Sequence, residues 1–381
     1  MNREEALKDF NEKVVNKIIN EYKLRFEENL KQYKDMLCKI LIDSIVNLNK
    51  KVCNVRNYKK DYLLNVLQYE LLRTNVLDDS YIIWLHGYNR SWYLDEDSVY
   101  EEINLKFLFE PFIELKQVLI KKKKVYLGKV NNYDIQNIVF NIVKEYYYSI
   151  ENIAREYMYD LDDNEKIKNV FLDEYYLIKW SEYREESKTI FAMDYRKKET
   201  KDLIEFTKNP YIYPIFTKSI LNECELKNQD LLYANFKESK LTEINIIECS
   251  VPRGKFNNTE FVKCTIKNSI MTGSIFKNTS LNTINFSNSD LRACNFNYSD
   301  CIEVTFNNCN LEDVSFYKSS LYRINFINCN LKSVNFIDAK FHKISFEGSD
   351  LKEALFNEEV IPFIHITPEQ LQDINIWGEL K

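Results

Sequence analysis

The stretch Ser289-Asp290-Leu291-Arg292-Ala293-Cys294-Asn295-Phe296-Asn297-Tyr298-Ser299 decides how the chain is read, because a large apolar residue at 291 returns at 296 with a small one two positions before each. Outward from it, Phe or Leu recurs at positions ending in 1 or 6, as at Leu281, Phe286, Phe306, Leu311, Phe316, Leu321, Phe326, Leu331 and Phe336. The residue two before each centre stays small or short: Val304, Cys309, Val314 and Ser319 continue the series. The period is five, which belongs to neither an α-helix nor an ordinary strand, and it marks a repeat architecture.

A longer period shows how the repeats wind. Every fourth centre, a step of twenty residues, gives Phe236, Phe256, Phe276, Phe296, Phe316, Phe336 and Phe356, all phenylalanine. Leu291, Leu311, Leu331 and Leu351 form a parallel series. Twenty residues therefore make one four-sided coil, and successive coils pair in parallel about 4.8 Å apart. Large centres fill the lumen, and the small residue at the inner corner fits beside the next centre. Asn and Ser crowd the remaining positions, where side chains bond nearby backbone at corners or face water. Between Leu226 and Phe356 this gives six to seven coils.

Ser289-Asp290-Leu291-Arg292-Ala293 and Cys309-Asn310-Leu311-Glu312-Asp313 resemble the pentapeptide-repeat family, whose pattern is approximately Ala-(Asp/Asn)-Leu-X-X. The resemblance covers residues 226–356 and implies a right-handed quadrilateral β-helix. Register weakens at Val251-Pro252-Arg253-Gly254, at Met271-Thr272-Gly273 and at Cys301, where a loop, bulge or void is expected.

Composition shifts at Pro210-Tyr211-Ile212-Tyr213-Pro214, which places domain boundaries at 1–215, 216–360 and 361–381. The front part reads as an α-helical domain. Leu7, Phe10, Val14, Ile18, Tyr22, Phe26, Leu30, Tyr33, Leu37 and Leu41 form one stripe of a long amphipathic helix, and further helices are expected over 58–72, 111–122, 133–160 and 164–186. A helical bundle follows. Both open ends of the β-helix need covering. The helical domain is expected to abut the first coil through Phe216, Ile220 and Leu221, and Thr367-Pro368-Glu369-Gln370 opens a C-terminal capping helix with Leu371, Ile374 and Trp377 on one side. The resemblance implies that such a helix caps and sometimes dimerises, so a homodimer through these three residues is expected.

The residues carry little chemistry. Motifs of serine hydrolases, P-loops and zincins are absent, His86, His342 and His365 are scattered, and the nine cysteines contain no CxxC pair, so neither enzyme, metal nor cofactor is expected. Seven of the cysteines fall at inward registers and are expected to be free thiols. The one dense group of unusual residues, Trp84, His86, Arg90, Trp92 and Asp95, is a candidate for a ligand or a partner, weighed against a packed connection between helices. Lys121 to Lys124 read as the solvated end of a helix rather than a phosphate site. Tyr146-Tyr147-Tyr148 and Tyr175-Tyr176 read as packing residues.

Acids and bases nearly cancel, 58 against 52, and no apolar run spans a bilayer, so a soluble cytoplasmic protein engaging neither membrane nor nucleic acid is expected. The leading functional expectation is a non-enzymatic protein-interaction scaffold with an unidentified protein partner. The resemblance also implies a DNA-mimic modulator of a topoisomerase such as gyrase, but residues 226–356 carry 14 acids against 15 bases, which is poor mimicry of a polyanion. A ligand-sensing or enzymatic domain around His86 is the third reading.

Overall fold

The computed structural model describes residues 1–209 and 213–378. The chain divides into two compact units, Met1–Met193 and Asp194–Lys381. The division lies upstream of the composition shift; of that motif, Pro210, Tyr211 and Ile212 fall outside the described residues.

The first unit begins with α1 (Arg3–Phe10), started by Asn2, whose side chain accepts from the Glu5 amide while Glu5 reaches back. The single long helix expected over 7–41 is interrupted. A π turn at Asn11–Val15 leads into α2 (Asn16–Gln32), and Tyr33, with φ −103 and ψ 13, separates it from α3 (Lys34–Arg56). The stripe still does its predicted work, since Phe10, Tyr22, Phe26, Leu37 and Leu41 are buried. Helices expected near 111–122 and 133–160 appear as α5 (Lys106–Lys122) and α6 (Asn132–Tyr157), preceded by the single-turn α4 (Arg73–Leu77).

The helices expected over 58–72 and 164–186 are instead strands, so the unit is α/β rather than a bundle. Strands β1 (Leu64–Leu71), β2 (Ile82–Tyr88), β3 (Val99–Asn104), β4 (Leu172–Glu182) and β5 (Lys188–Asp194) form one sheet in the order β3-β2-β1-β4-β5. β1 runs antiparallel to β2 and parallel to β4. Nearly every residue of β1 is buried, on both faces, which erases the polar alternation that would betray a strand. Its odd-numbered side chains meet the helices: the Tyr69 hydroxyl donates to the Leu41 carbonyl at 2.9 Å. Trp180 of β4 stacks on Tyr147 of α6 at 4.6 Å, and its indole N–H donates to the Tyr147 carbonyl.

The second unit opens with α7 (Thr200–Lys208) and continues as a β-solenoid of about eight turns. Equivalent residues pair at intervals of twenty, as in Phe286 with Phe306, Leu281 with Cys301 and Asn285 with Thr305. The phenylalanine ladder stacks down the axis with ring centroids 4.5 to 5.5 Å apart from Phe216 to Phe356. Phe216 and Leu221, expected to be contacts of a cap, are themselves centres of the first coil. The cap over that coil is α7, whose Leu203 and Phe206 join the solenoid core, while Ile220 is exposed.

Two devices set the repeat. Nearly every residue ending in 3 or 8 turns its corner with positive φ, between 49° and 62° at Asn228, Asn258, Asn268, Asn288, Asn308, Asn328 and Glu353 among others. Asparagine tolerates this region best among non-glycine residues, which explains its abundance there. The small inward position is also more than a steric accommodation. Ser269 Oγ accepts from the Cys249 amide at 3.1 Å and donates to the Ile246 carbonyl at 3.3 Å, and Ser239, Ser274 and Ser349 bridge neighbouring coils likewise. The thiols of Cys249, Cys264, Cys294 and Cys329 reach the corresponding carbonyls. All nine cysteines are free thiols, Cys53 alone exposed. Burial pushes the Cys301 thiol up to about 12.

The register expected to fail does not. Val251, Met271 and Cys301 are buried centres, Gly254 occupies a small inward seat, and Gly273 turns a corner at φ 69°. At the far end, a 3-10 segment (Glu358–Phe363) and the six-residue α8 (Pro368–Asp373) precede a last strand, Asn375–Trp377, paired in parallel with Leu355–Asn357. The capping helix is thus shorter than expected. Ile374 ends it and enters the core, and Trp377 belongs to a strand, because Ile376 continues the column below Phe356.

Candidate functional site

The even-numbered residues of β1 face away from the helices, and strand register assembles two rows across that side of the sheet. One row runs Tyr100, His86, Gln68, Lys179; the next runs Glu102, Trp84, Glu70, Ser181. Their centre is dry and polar. Gln68, Glu70 and Ser181 are each at most 1% exposed. Glu70 pairs with His86 through Nδ1, and the Gln68 amide donates to Glu70 Oε1 at 3.0 Å and to Ser181 Oγ at 3.0 Å. A buried carboxylate held by an imidazole and an amide is satisfied, and it fixes the ring of His86.

Aromatic rings surround this centre. Trp84 lies edge-on to His86 at 5.3 Å, Tyr88 stacks on it at 5.5 Å, and Tyr100 is tilted against it at 5.6 Å. The loop over residues 89–98 lies on the same face. Trp92 stacks on Tyr93 at 4.9 Å, the Tyr93 hydroxyl donates to Gln68 at 3.3 Å, and the Lys179 ammonium sits over the Trp92 ring at 5.1 Å.

Of the five residues expected to form a site, three belong to this face and two hold its loop. Trp84 and His86 stand side by side, and Trp92 joins them through the loop. Arg90 instead clamps Asp173 through two bonds of 2.6 and 2.7 Å, which holds that carboxyl below its usual range. Asp95 is the loop's hub, accepting from the Asn89 amide, the Asn89 side chain, the Tyr62 hydroxyl and the Asp97 amide. These residues lie on a strand and its following loop, not on a connection between helices. Gln68, Glu70, Lys179 and Ser181 carry no such signal in the sequence, because the apolar spacing around them matches a helix.

Two groups here lack the partners their chemistry wants. The indole N–H of Trp92 is buried without an acceptor, and Trp92 holds a left-handed backbone at φ 50°. Lys179 is buried, its ammonium bonded to Thr189 Oγ1 at 3.3 Å, and burial lowers its pKa. Among the described residues no group of three His, Cys, Asp or Glu is placed to hold a metal ion. No helix there is long and apolar enough to cross a membrane.

The second candidate lies at the end of the solenoid. Phe363, Trp377 and Leu371 are 80%, 61% and 44% exposed around the last coil. Gln370 bonds the carbonyls of Phe346 and Ser349, so the short helix covers part of that coil. Among the described residues the strand Asn375–Trp377 pairs only on its inner side.

Stacked four-sided coils with phenyl and aliphatic centres define a β-solenoid repeat protein. More narrowly, the second unit is a pentapeptide-repeat solenoid: residues 300–376 match the pentapeptide repeat region. Solved structures similar to the chain include QnrB1, a plasmid-mediated fluoroquinolone resistance protein, at 9% identity over 44% of this chain and 92% of that one, TM-score 0.19. HetL, a pentapeptide repeat protein involved in heterocyst differentiation regulation from the cyanobacterium Nostoc sp. strain PCC 7120, is 14% identical over 41% of this chain and 96% of its own, TM-score 0.15. Rfr23 from the cyanobacterium Cyanothece 51142 is 16% identical over 34% and 89%, TM-score 0.17. No curated protein matches the sequence.

Proposed function

We propose that this protein is a non-enzymatic protein-binding scaffold whose solenoid joins that of a second copy end to end. The observation that carries this reading is the far end of the solenoid, where a singly paired strand is ringed by Phe363, Leu371 and Trp377. An open strand edge beside bare aromatics is a template for association, and a two-fold contact satisfies the same surface on both copies. The solenoid lumen is filled by stacked centres, so its binding surface is its outside. Sedimentation equilibrium tests the proposal: the chain is expected to dimerise at tens of micromolar, and Phe363→Ser with Trp377→Ser is expected to give a monomer. A wild-type monomer, or a dimer unaffected by the double variant, overturns it.

A second reading is favoured by one observation in the first unit, the unbonded Trp92 indole N–H beside the buried Lys179. We infer a ligand-sensing site there for a small carboxylate, which would accept from the indole and pair with the ammonium. Titration with benzoate is expected to change tryptophan fluorescence in the wild type and not in Lys179→Met. Equal responses from both proteins refute it.

A further inference from the structure

Helices α5 and α6 lie against each other, joined by a tip that runs from Lys121 to Asn131. The tip is held in one shape. Tyr126 turns inward, its ring edge-on to Phe10 at 5.3 Å and its hydroxyl donating to Asp9 at 3.0 Å, and Val130 is fully buried. On either side of that anchor, Val125 and Leu127 stand 80% and 90% exposed.

Leu127 also has left-handed backbone, φ 46 and ψ 46. Glycine or asparagine takes this conformation at far lower cost. A leucine here breaks a local rule and buries nothing, so no contact within the unit accounts for it. Lys121, Lys122, Lys123 and Lys124 come immediately before, and none of the four has an acidic partner among the described residues. The nearby acids are engaged, Asp9 by Lys13 and Asp134 by Arg3.

We propose that this tip docks on an anionic lipid bilayer, with Val125 and Leu127 in the headgroup–acyl boundary and the four lysines on the lipid headgroups. Two weak signals, apolar insertion and a basic cluster, together give stable interfacial binding where either alone does not. A nucleic acid would match the lysines alone and leave both aliphatic side chains in water. The near-neutral charge of the whole chain does not oppose this docking, because attraction to a charged surface acts over about one Debye length and depends on the local cluster.

The test is co-sedimentation of the full chain with phosphatidylcholine vesicles, with and without phosphatidylserine. Binding is expected only with phosphatidylserine and should weaken as salt rises. Leu127→Asn keeps the left-handed backbone, so the thermal midpoint should hold or rise while vesicle binding falls roughly tenfold or more. Replacing Lys121, Lys122 and Lys123 by Gln removes roughly fivefold per residue, about a hundredfold together. Failure to bind phosphatidylserine vesicles, undiminished binding by Leu127→Asn, or retention of duplex DNA or RNA without vesicle binding each overturns the proposal.

Discussion

Replacing Phe296 by alanine removes one ring from the middle of the phenylalanine ladder. That ring lies 4.5 Å from Phe276 and 5.0 Å from Phe316 along the axis, and edge-on to Phe286 and Phe306 at 6.4 and 6.3 Å. Burying a phenyl side chain and leaving a void when it is lost costs about 3 to 5 kcal/mol. Neighbouring coils cannot collapse into the space, because their spacing is set by bonds such as the 2.7 Å one from the Phe296 amide to the Ser315 carbonyl. Ring contacts on four sides place the loss at the upper end, about 4 to 5 kcal/mol. With a urea slope of about 2 to 3 kcal/mol per molar, the midpoint falls by about 1.3 to 2.5 M. Asn307→Ala, on the outer side of the same region, should cost at most about 0.5 kcal/mol. In a Trp377→Phe background the remaining tryptophans, Trp84, Trp92 and Trp180, all lie in the other unit, so a far-ultraviolet circular dichroism transition that fluorescence does not share belongs to the solenoid. Equal midpoints for the two variants would refute the assigned inward and outward registers.

Gly348 has φ 64°, and a β-carbon there would clash with Asn328 Oδ1, so Gly348→Ala should lose about 2 kcal/mol or more in thermal denaturation, with part recovered in an Asn328→Ala background. Ser269→Ala removes a hydroxyl that bridges two coils and should cost about 1 to 2 kcal/mol in urea titration; a neutral result would mean that size alone governs the inward seat. Burial lowers the Lys179 pKa from its model-peptide value of 10.5, so the folded state gives up that proton sooner than the unfolded chain. This penalty is absent above 10.5, grows as pH falls from there to the lowered value, and is fully present below it. Lys179→Met should therefore gain stability over the wild type at neutral pH and lose that advantage at alkaline pH, as chemical denaturation at the two pH values would reveal.

The solenoid was legible because its rule is restated every five residues, so single departures such as Cys301 or Gly254 could not hide it. Why those departures are harmless was not legible: glycine at 254 meets an inward seat, and glycine at 273 meets a left-handed corner. The sheet of the first unit gave no comparable signal. Val66 and Leu67 followed by Leu71 match helical spacing by coincidence, and Gln68 and Glu70, the polar residues that would mark one strand face, are themselves buried. The sequence singles out only part of the candidate face for the same reason. Trp84 and His86 drew notice through their rarity, whereas Glu70, Lys179 and Ser181 meet them only through sheet pairing, which no local pattern announces. At the solenoid's end the helical spacing of Leu371, Ile374 and Trp377 misleads, because a six-residue helix is too short to hold all three on one side.

The twenty-residue register also limits how such a chain can change over generations. Gaining or losing a whole coil shifts everything downstream by about 4.8 Å along the axis and leaves each side facing where it did. Gaining or losing one five-residue unit keeps the lumen filled but turns every later side by a quarter, so that Phe316 would come to lie over Leu291 or Cys301 rather than Phe296. An insertion of any other size would carry the Phe and Leu centres downstream of it out of their seats in the lumen. The length of this protein is thus free to drift only in quanta, coarse ones when its outer surface is in use and finer ones when only its packing matters.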